Sequence, residues 1–354
     1  MSICIDARMA FASGIGVAIR NLIPIWAAFQ FKITVLVNKQ ELLWENCAEQ
    51  IIIKSPIYSI QEQWELPLKI PECDLFWSPH YNIPLVPIRA KKRIVTIHDV
   101  CHLVFSRHLS LPEKIYAKMM LNAAYRTADI VIANSAFTKS ELEKYLGRRK
   151  SGVRAIHMGI DARLFQKVED LHRLEKVRQK HHLPDAFILF VGNLKPHKNL
   201  ARLIQAFSQT HLPNWKLVLV GKFQGLRNSV ELSNHQGVIQ LHDVLDEELP
   251  VLYTLARLFV LPSLYEGFGL PPLEAMCCGC PTVVSNAASV PEVCGEASMY
   301  FHPEKIDEMA RVIQEVSQNE ELQNQLILKG YNRIKSFDWQ RTAEEYKKVF
   351  EQAL

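Results

Sequence analysis

The sequence predicts an α/β protein of two domains, each built on a parallel sheet, and three observations carry that expectation. The chain has 354 residues, beyond the ~250–300 residues at which a single core stops growing. Short runs rich in Val, Ile and Leu recur along it, most of them continuous rather than alternating, as strands buried on both faces of a parallel sheet read. Helical stretches separate several of these runs, which is the rhythm of a layered α/β fold.

The first run, ICIDAR, leads into Ser13-Gly14-Ile15-Gly16 and then the helical spacing of VAIRNLIPIWAAF. A glycine turn there meets a helix N-terminus, where unpaired N–H groups and the positive dipole end favour an anion. This is half of a dinucleotide fingerprint, because Ile19 stands where G-x-G-x-x-G has its third glycine. Further strand-like runs follow at 33–37, 51–54, 74–79, 93–99, 129–135 and 153–160. His80, His98 with Asp99, and Asn134 with Ser135 stand at strand carboxyl ends, where open α/β sheets take ligands. Each also reads as an ordinary strand-end or capping residue. Ser135 is a candidate cap for AFTKSELEKYL, with Glu141 and Lys144 on that helix's exposed face.

Between Asp161 and Pro184 the strand rhythm stops and the charged stretch KVEDLHRLEKVRQKHHL intervenes, read as a solvated helix face. The junction falls there, giving domains 1–170 and 171–336 and a final helix at 337–354. A second strand series runs through 187–193, 215–221, 237–243, 257–263 and 281–286. In the closing DWQRTAEEYKKVFEQAL, Asp338 is placed to cap a helix whose Ala343, Tyr346, Val349, Phe350 and Leu354 form an apolar stripe.

The chemistry concentrates in FVLPSLYEGFGLPPLEAMCCGC, from Phe259 to Cys280. A strand ends at Pro262, Gly267 and Gly269 break the turn, Pro271-Pro272 opens a helix and Gly279 stops it. Such a helix start suits an anion, yet Glu266 and Glu274 flank it. An ionised Glu only accepts hydrogen bonds, so both want hydroxyl donors. A nucleotide sugar, with phosphates in the middle and hydroxyls at both ends, meets both demands; a solvated turn before a helix-start carboxylate is the plainer alternative. VGNLKPHKNLARLI adds Lys195 and Lys198 at another strand's carboxyl end. Charge-assisted bonds from lysines to a diphosphate contribute roughly 1.5–3 kcal/mol each. Cys277 and Cys280 have C-x-x-C spacing without a second pair, so reduced packing thiols are expected among the eight cysteines.

The net charge of +4, with 48% hydrophobic and 22% charged residues, is that of an ordinary globular protein and does not point to nucleic acid. No apolar run reaches the ~18–20 residues of a membrane span, and MSICIDARMAFASGIG lacks signal-peptide order. A cytoplasmic protein is expected. The basic clusters Arg89, Lys91, Lys92, Arg93 and Arg148, Arg149, Lys150 read either as soluble surface or as a peripheral contact with the inner face of an anionic membrane.

Taken together, the SGIG segment, TIHD, ANSAFTKSEL, IHMGID, VGNLKPHKN, YEGFGLPPLEA, GCPTVVSN, PEVCGEA and FDWQRTAEEY resemble glycosyltransferase family 4 along nearly the whole chain. The likeness is greatest to bacterial mannosyltransferases of surface polysaccharide synthesis. The resemblance implies a retaining enzyme of the GT-B fold, with two Rossmann-like domains facing across a central cleft and the last helix crossing back to the N-terminal domain. It implies a nucleotide diphosphate sugar as donor, GDP-mannose foremost, a glycan or lipid-linked acceptor, and neither cofactor nor metal. Glu274 would accept from ribose hydroxyls and Glu266 from the transferred sugar. Backbone N–H groups around Phe268, Gly269 and Leu270, with Lys198, would hold the diphosphate, and Gly14 and Gly16 would close over it. His98 would stand beside the reacting carbon, making His98, Glu266 and Lys198 the catalytic set. Asn193 departs from the family's usual Arg; Lys195 supplies part of that charge without a bidentate fork. The rival readings are a nucleotide-sugar epimerase or hydrolase of similar fold, a non-catalytic nucleotide-sugar binder, and a nicotinamide dehydrogenase, which the incomplete fingerprint disfavours.

Overall fold

Nearly every apolar run becomes a strand, and the strands fall into two sheets. A computed structural model describes residues 1–108, 110–221 and 235–354. The first sheet contains β1 (Ser2–Asp6), β2 (Lys32–Val37), β3 (Glu49–Ile52), β4 (Cys73–Ser78), β5 (Ala90–Ile97), β6 (Ile130–Ala133) and β7 (Val153–Ala155), in the order β3-β2-β1-β4-β5-β6-β7. The second contains β8 (Phe187–Val191), β9 (Lys216–Val220), β10 (Val238–Leu241), β11 (Leu258–Leu261), β12 (Thr282–Ser285) and β13 (Met299–Phe301), in the order β10-β9-β8-β11-β12-β13. Their pairings are parallel, as the continuous apolar runs require. Only β13 was not anticipated; its three residues are too few to show a pattern.

Two compact units result, Met1–Gly159 with Asp338–Leu354, and Ile160–Phe337. The chain changes unit between Gly159 and Ile160, ahead of the junction read at 170, because the turn after Ile160 already belongs to the second core: Ile160 N–H donates to the Phe337 carbonyl at 3.1 Å. Each sheet is a doubly wound type whose strand order reverses once, between β1 and β4 in the first unit and between β8 and β11 in the second. At such reversals the connections leave on opposite faces, opening a crevice at the strands' carboxyl ends.

The closing helix Trp339–Ala353 packs within the first unit. Asp338 caps it by accepting from Gln340 N–H at 3.1 Å. Ala343, Tyr346, Val349 and Phe350 are buried, but Leu354 lies past the last turn and is 58% exposed, so the stripe stops short of it. The rings of Tyr346 and Phe350 lie 5.6 and 5.1 Å from that of Trp26, whose indole N–H donates to the Ala343 carbonyl. At the start of this helix Gly159 is irreplaceable on space alone: a Cβ there would lie 2.4 Å from the Trp339 nitrogen.

Two other expectations change in detail. Gly14 and Gly16 lie inside the first turn of the helix Ser13–Ala28 rather than in a turn ahead of it. Glu141 is buried, not solvated, and holds Lys144 at 2.9 Å, while Ser135 does cap its helix through Thr138 N–H.

Candidate functional site

The carboxyl ends of β8 and β11, which flank the reversal of the second sheet, carry the sequence's most suggestive residues. After β8, Gly192 and Asn193 lead into the single turn Pro196–Lys198. Asn199 follows in the left-handed conformation, φ 60°, held by amide donation to the Pro262 and Pro303 carbonyls at 3.0 and 2.7 Å. That buried amide fixes the turn against the end of β11 and thereby aims Lys198. Lys198 Nζ lies 2.5 Å from Glu266 Oε1, with 13% and 12% of the two side chains exposed. Lys195 is exposed, and Asn193 half-buried.

Glu266 is fixed from two sides. Ser263 Oγ donates to its Oε1 at 2.6 Å, the same oxygen that Lys198 reaches. Among the described residues Oε2 takes no partner, so one oxygen is anchored and the other is available to a hydroxyl. The loop then passes through buried Phe268 to Gly269, which caps the helix Leu270–Cys277 at φ 98°. No atom lies within 4 Å of a Cβ built on Gly269; the positive φ, not crowding, calls for glycine. Pro271 and Pro272 occupy positions whose N–H groups would have been unpaired, so the donors left at this helix start are Gly269 and Leu270.

Glu274 lies one turn further on, half-buried. Tyr253, fully buried on the neighbouring helix Leu249–Leu255, donates its hydroxyl to Glu274 Oε2 at 2.7 Å. Burial pushes the Glu274 carboxyl up to about 7, with the Tyr253 bond pulling the other way and the Asp246 charge adding to the rise. Cys277 and Cys280 are buried, and burial pushes both thiols well up, Cys277 to about 12, which leaves them unreactive.

In the first unit, His98 follows β5. Its Nε2 meets the Pro79 carbonyl at 2.9 Å, which only a protonated Nε2 can satisfy, so Nδ1 is the acceptor and faces the Asn134 amide at 3.5 Å. Burial lowers the imidazole to about 4, against the opposing pulls of the Asp99 charge and the Pro79 carbonyl. The ring is therefore neutral at pH 7. In the first helical turn, a Cβ on Gly16 would fall 2.3 Å from the Ala10 carbonyl oxygen, whereas nothing lies within 4 Å of one on Gly14. Gly16 is thus demanded by chain packing, and Gly14 is the one with open space beside it.

The reversal in the first sheet holds a network that sequence reading did not foresee. Arg8 grips Asp6 with two bonds of 2.8 Å and reaches Glu62 at 2.8 Å, all three buried. Glu62 accepts from the Asn82 amide at 2.7 Å, and Asn82 N–H donates to His80 Nδ1 at 3.1 Å. Burial works to raise the Asp6 carboxyl, but Arg8 and then His80 overcome it and hold it well below the usual range. Asp6 and Arg8 stood in the quoted ICIDAR, but Glu62 and Asn82 are distant in sequence and carry no spacing signal. Tyr253, Ser285 and Ser289 were missed for the same reason.

Comparisons with known proteins bear on the family and the fold. The family model described as Glycosyltransferase Family 4 matches residues 12–164, and that of Glycosyl transferases group 1 matches residues 173–333. The chain is 32% identical over 286 residues to the serotype-specific mannosyltransferase WbdA of Escherichia coli, a match over 76% of this chain and 35% of that protein. It therefore spans about a third of that relative's length. It is 30% identical over 278 residues to the O-antigen chain mannosyltransferase B of Escherichia coli, covering 75% of this chain and 71% of that one. Among solved structures, Anabaena HepE in complex with UDP and glucose superposes with a TM-score of 0.80 at 19% identity, over 99% of this chain and 100% of that one. Sucrose-phosphate synthase from Thermosynechococcus elongatus gives 0.79 at 21%, over 99% and 98%. These structural likenesses concern the fold alone, two Rossmann-like units of the GT-B type. Since the two models tile the chain and the second mannosyltransferase is matched over most of its length, the chain belongs to the group 1 and family 4 glycosyltransferases.

Proposed function

We propose that the protein transfers a hexose, mannose foremost, from a nucleoside diphosphate sugar, GDP-mannose foremost, to a glycan or lipid-linked acceptor of a surface polysaccharide, with retention of configuration and without a metal. The observation that carries this reading is the Lys198–Glu266 pair at the reversal of the second sheet. A cation and a carboxylate held side by side suit a ligand that has phosphates and hydroxyls a few ångströms apart. The mannosyltransferase relatives support the choice of sugar, and the O-antigen designation of the second supports the class of acceptor.

Breaking the glycosidic C–O bond puts positive charge on the sugar ring and negative charge on the departing diphosphate. Lys198 and the N–H groups of Gly269 and Leu270 stabilise the second charge, and the exposed Lys195 adds to it from the start of the same turn. Glu266 Oε2 accepts from a hydroxyl of the moving sugar and fixes its orientation. Glu274 Oε1, the oxygen that Tyr253 leaves open, accepts from the ribose. His98, neutral with Nε2–H committed to a backbone carbonyl, is not a proton shuttle in this reading.

A peripheral membrane contact belongs to the same proposal, on a different surface from the basic clusters. Lys91 and Lys92 are engaged by Asp74 and Asp129, and Arg93 and Arg149 by backbone carbonyls. Trp64 and Leu68 on one helix, and Leu111, Ile115 and Met119 on another, are instead between 49% and 76% exposed. Lys114 and Lys118 share the second helix, as an anionic bilayer would favour.

The test is a thermal-shift panel with GDP, UDP and ADP and their common sugars, followed by product analysis. A ligand at ~100 times its Kd adds about 2.7 kcal/mol. GDP and GDP-mannose are expected to shift the protein, and transfer to give a product with the donor's anomeric configuration. No shift with any of the panel would remove the reading.

A further inference from the structure

Three serines of the second unit converge on the loop after β11, and none of them was singled out by the sequence. Ser263 follows that strand by two residues, Ser285 ends β12, and Ser289 precedes the helix Val290–Cys294; all three are fully buried. Ser285 Oγ donates to the Ser263 carbonyl at 2.7 Å, and Ser263 Oγ donates in turn to Glu266 Oε1. Ser289 Oγ lies 2.9 Å from both the Glu266 and the Phe268 carbonyl oxygens, sharing its one proton between them.

That double contact fixes the direction of the backbone. In a trans peptide the C=O and the following N–H point opposite ways, and no peptide among the described residues is cis. With the Phe268 carbonyl turned inward to Ser289, the N–H group of Gly269 turns outward on the other side. Gly269 follows at its positive φ, with its N–H beside that of Leu270. Ser289 reaches this position because Ala288 before it takes a left-handed conformation, φ 56°, an uncommon one for alanine.

Resting on the reading of this loop as the nucleotide-sugar site, we infer that Ser289 is a positioning residue for donor binding: its hydroxyl orients the loop so that backbone N–H groups face the diphosphate, while Ser285 and Ser263 hold Glu266 in register. Ser289 touches no substrate. Its effect is therefore confined to the phosphate contacts and spares those of the nucleoside.

The experiment measures, by titration calorimetry, the affinity of GDP, UDP and ADP and of the corresponding nucleosides for wild type, Ser289→Ala, Ser289→Cys and Ser298→Ala. Ser298 is a buried serine of the same unit whose hydroxyl pairs with Thr282 instead of the loop, so it controls for simple destabilisation. Ser289→Ala is expected to weaken the diphosphate at least tenfold with the nucleoside unchanged, Ser289→Cys to lose less, and Ser298→Ala to melt earlier with unchanged affinities. An unchanged ratio of diphosphate to nucleoside affinity in folded Ser289→Ala or Ser289→Cys overturns the inference. Should neither variant fold, the wild type decides: with isotope-labelled glycine and leucine, the Gly269 and Leu270 amide signals must move on adding the diphosphate and not the nucleoside. Wild type binding none of the three nucleotides would instead overturn the reading of the site.

Discussion

Glu274 and His98 are two titratable groups displaced from their ordinary ranges mainly by burial, and the displacement acts differently on each. The Glu274 carboxyl, ordinarily near 4.5, is raised to about 7 in the folded chain. Between those values the folded state keeps a proton that the unfolded chain has lost. Its contribution to stability is therefore greatest below 4.5 and declines as pH rises to about 7, by about 1.4 kcal/mol per unit. A ribose that donates to Glu274 needs the carboxylate, so nucleoside diphosphate affinity should rise with pH up to about 7 and level off, with a proton released on binding below that point. Calorimetry in two buffers of different ionisation enthalpy reads that proton directly. Tyr253→Phe removes the bond that favours ionisation and should move the curve to higher pH; a pH-independent affinity in both proteins would detach Glu274 from the ribose. His98 is lowered from 6.5 to about 4, so its contribution is fully present above 6.5 and is lost as pH falls toward 4. The pH profile of kcat/KM should accordingly show no inflection near 6.5 that His98→Gln abolishes; finding one would make the imidazole a proton-transfer group.

Whole elements show how residues of one type divide into different jobs. Gly14 and Gly16 read alike in sequence, as two members of one glycine turn, yet they are two residues apart on a helix, one facing open space and the other the Ala10 carbonyl. Gly16→Ala forces backbone apart and should cost about 1–3 kcal/mol. Gly14→Ala relieves a helix of glycine where nothing lies within 4 Å of the added methyl, and should gain up to about 1 kcal/mol. Melting temperatures of the two variants check this, rising for Gly14→Ala and falling for Gly16→Ala; a Gly14→Ala that melts below wild type would mean that its open space is used by the fold. The exposed helix faces make a second prediction at this scale. Liposomes with anionic lipid should float the wild type, and Trp64→Ser with Ile115→Glu should abolish flotation without changing the melting temperature; flotation that survives in the double variant would leave these faces as plain surface.

Across the molecule, what was legible in the sequence was whatever is encoded locally. The parallel sheets showed in continuous apolar runs, the caps in Ser135 and Asp338, and the loop of the second unit in its glycines and prolines. The partners of those residues were not legible, because Ser289 meets Glu266 and Tyr253 meets Glu274 only after strands and helices have assembled. The same holds for Arg8 with Glu62, far apart along the chain. The final helix is the longest-range case: it follows the second unit in sequence but completes the core of the first, where Phe350 is fully buried against Trp26 and Tyr346. The two units therefore have separate cores, and the core of the first depends on the last residues of the chain. Calorimetric melting should resolve two transitions. Phe350→Ala leaves a cavity costing about 3–5 kcal/mol and should lower the transition of the first unit. A nucleoside diphosphate, bound at the loop after β11, should raise the other transition. A single transition that responds to both the substitution and the nucleotide would mean that the two cores unfold as one cooperative body.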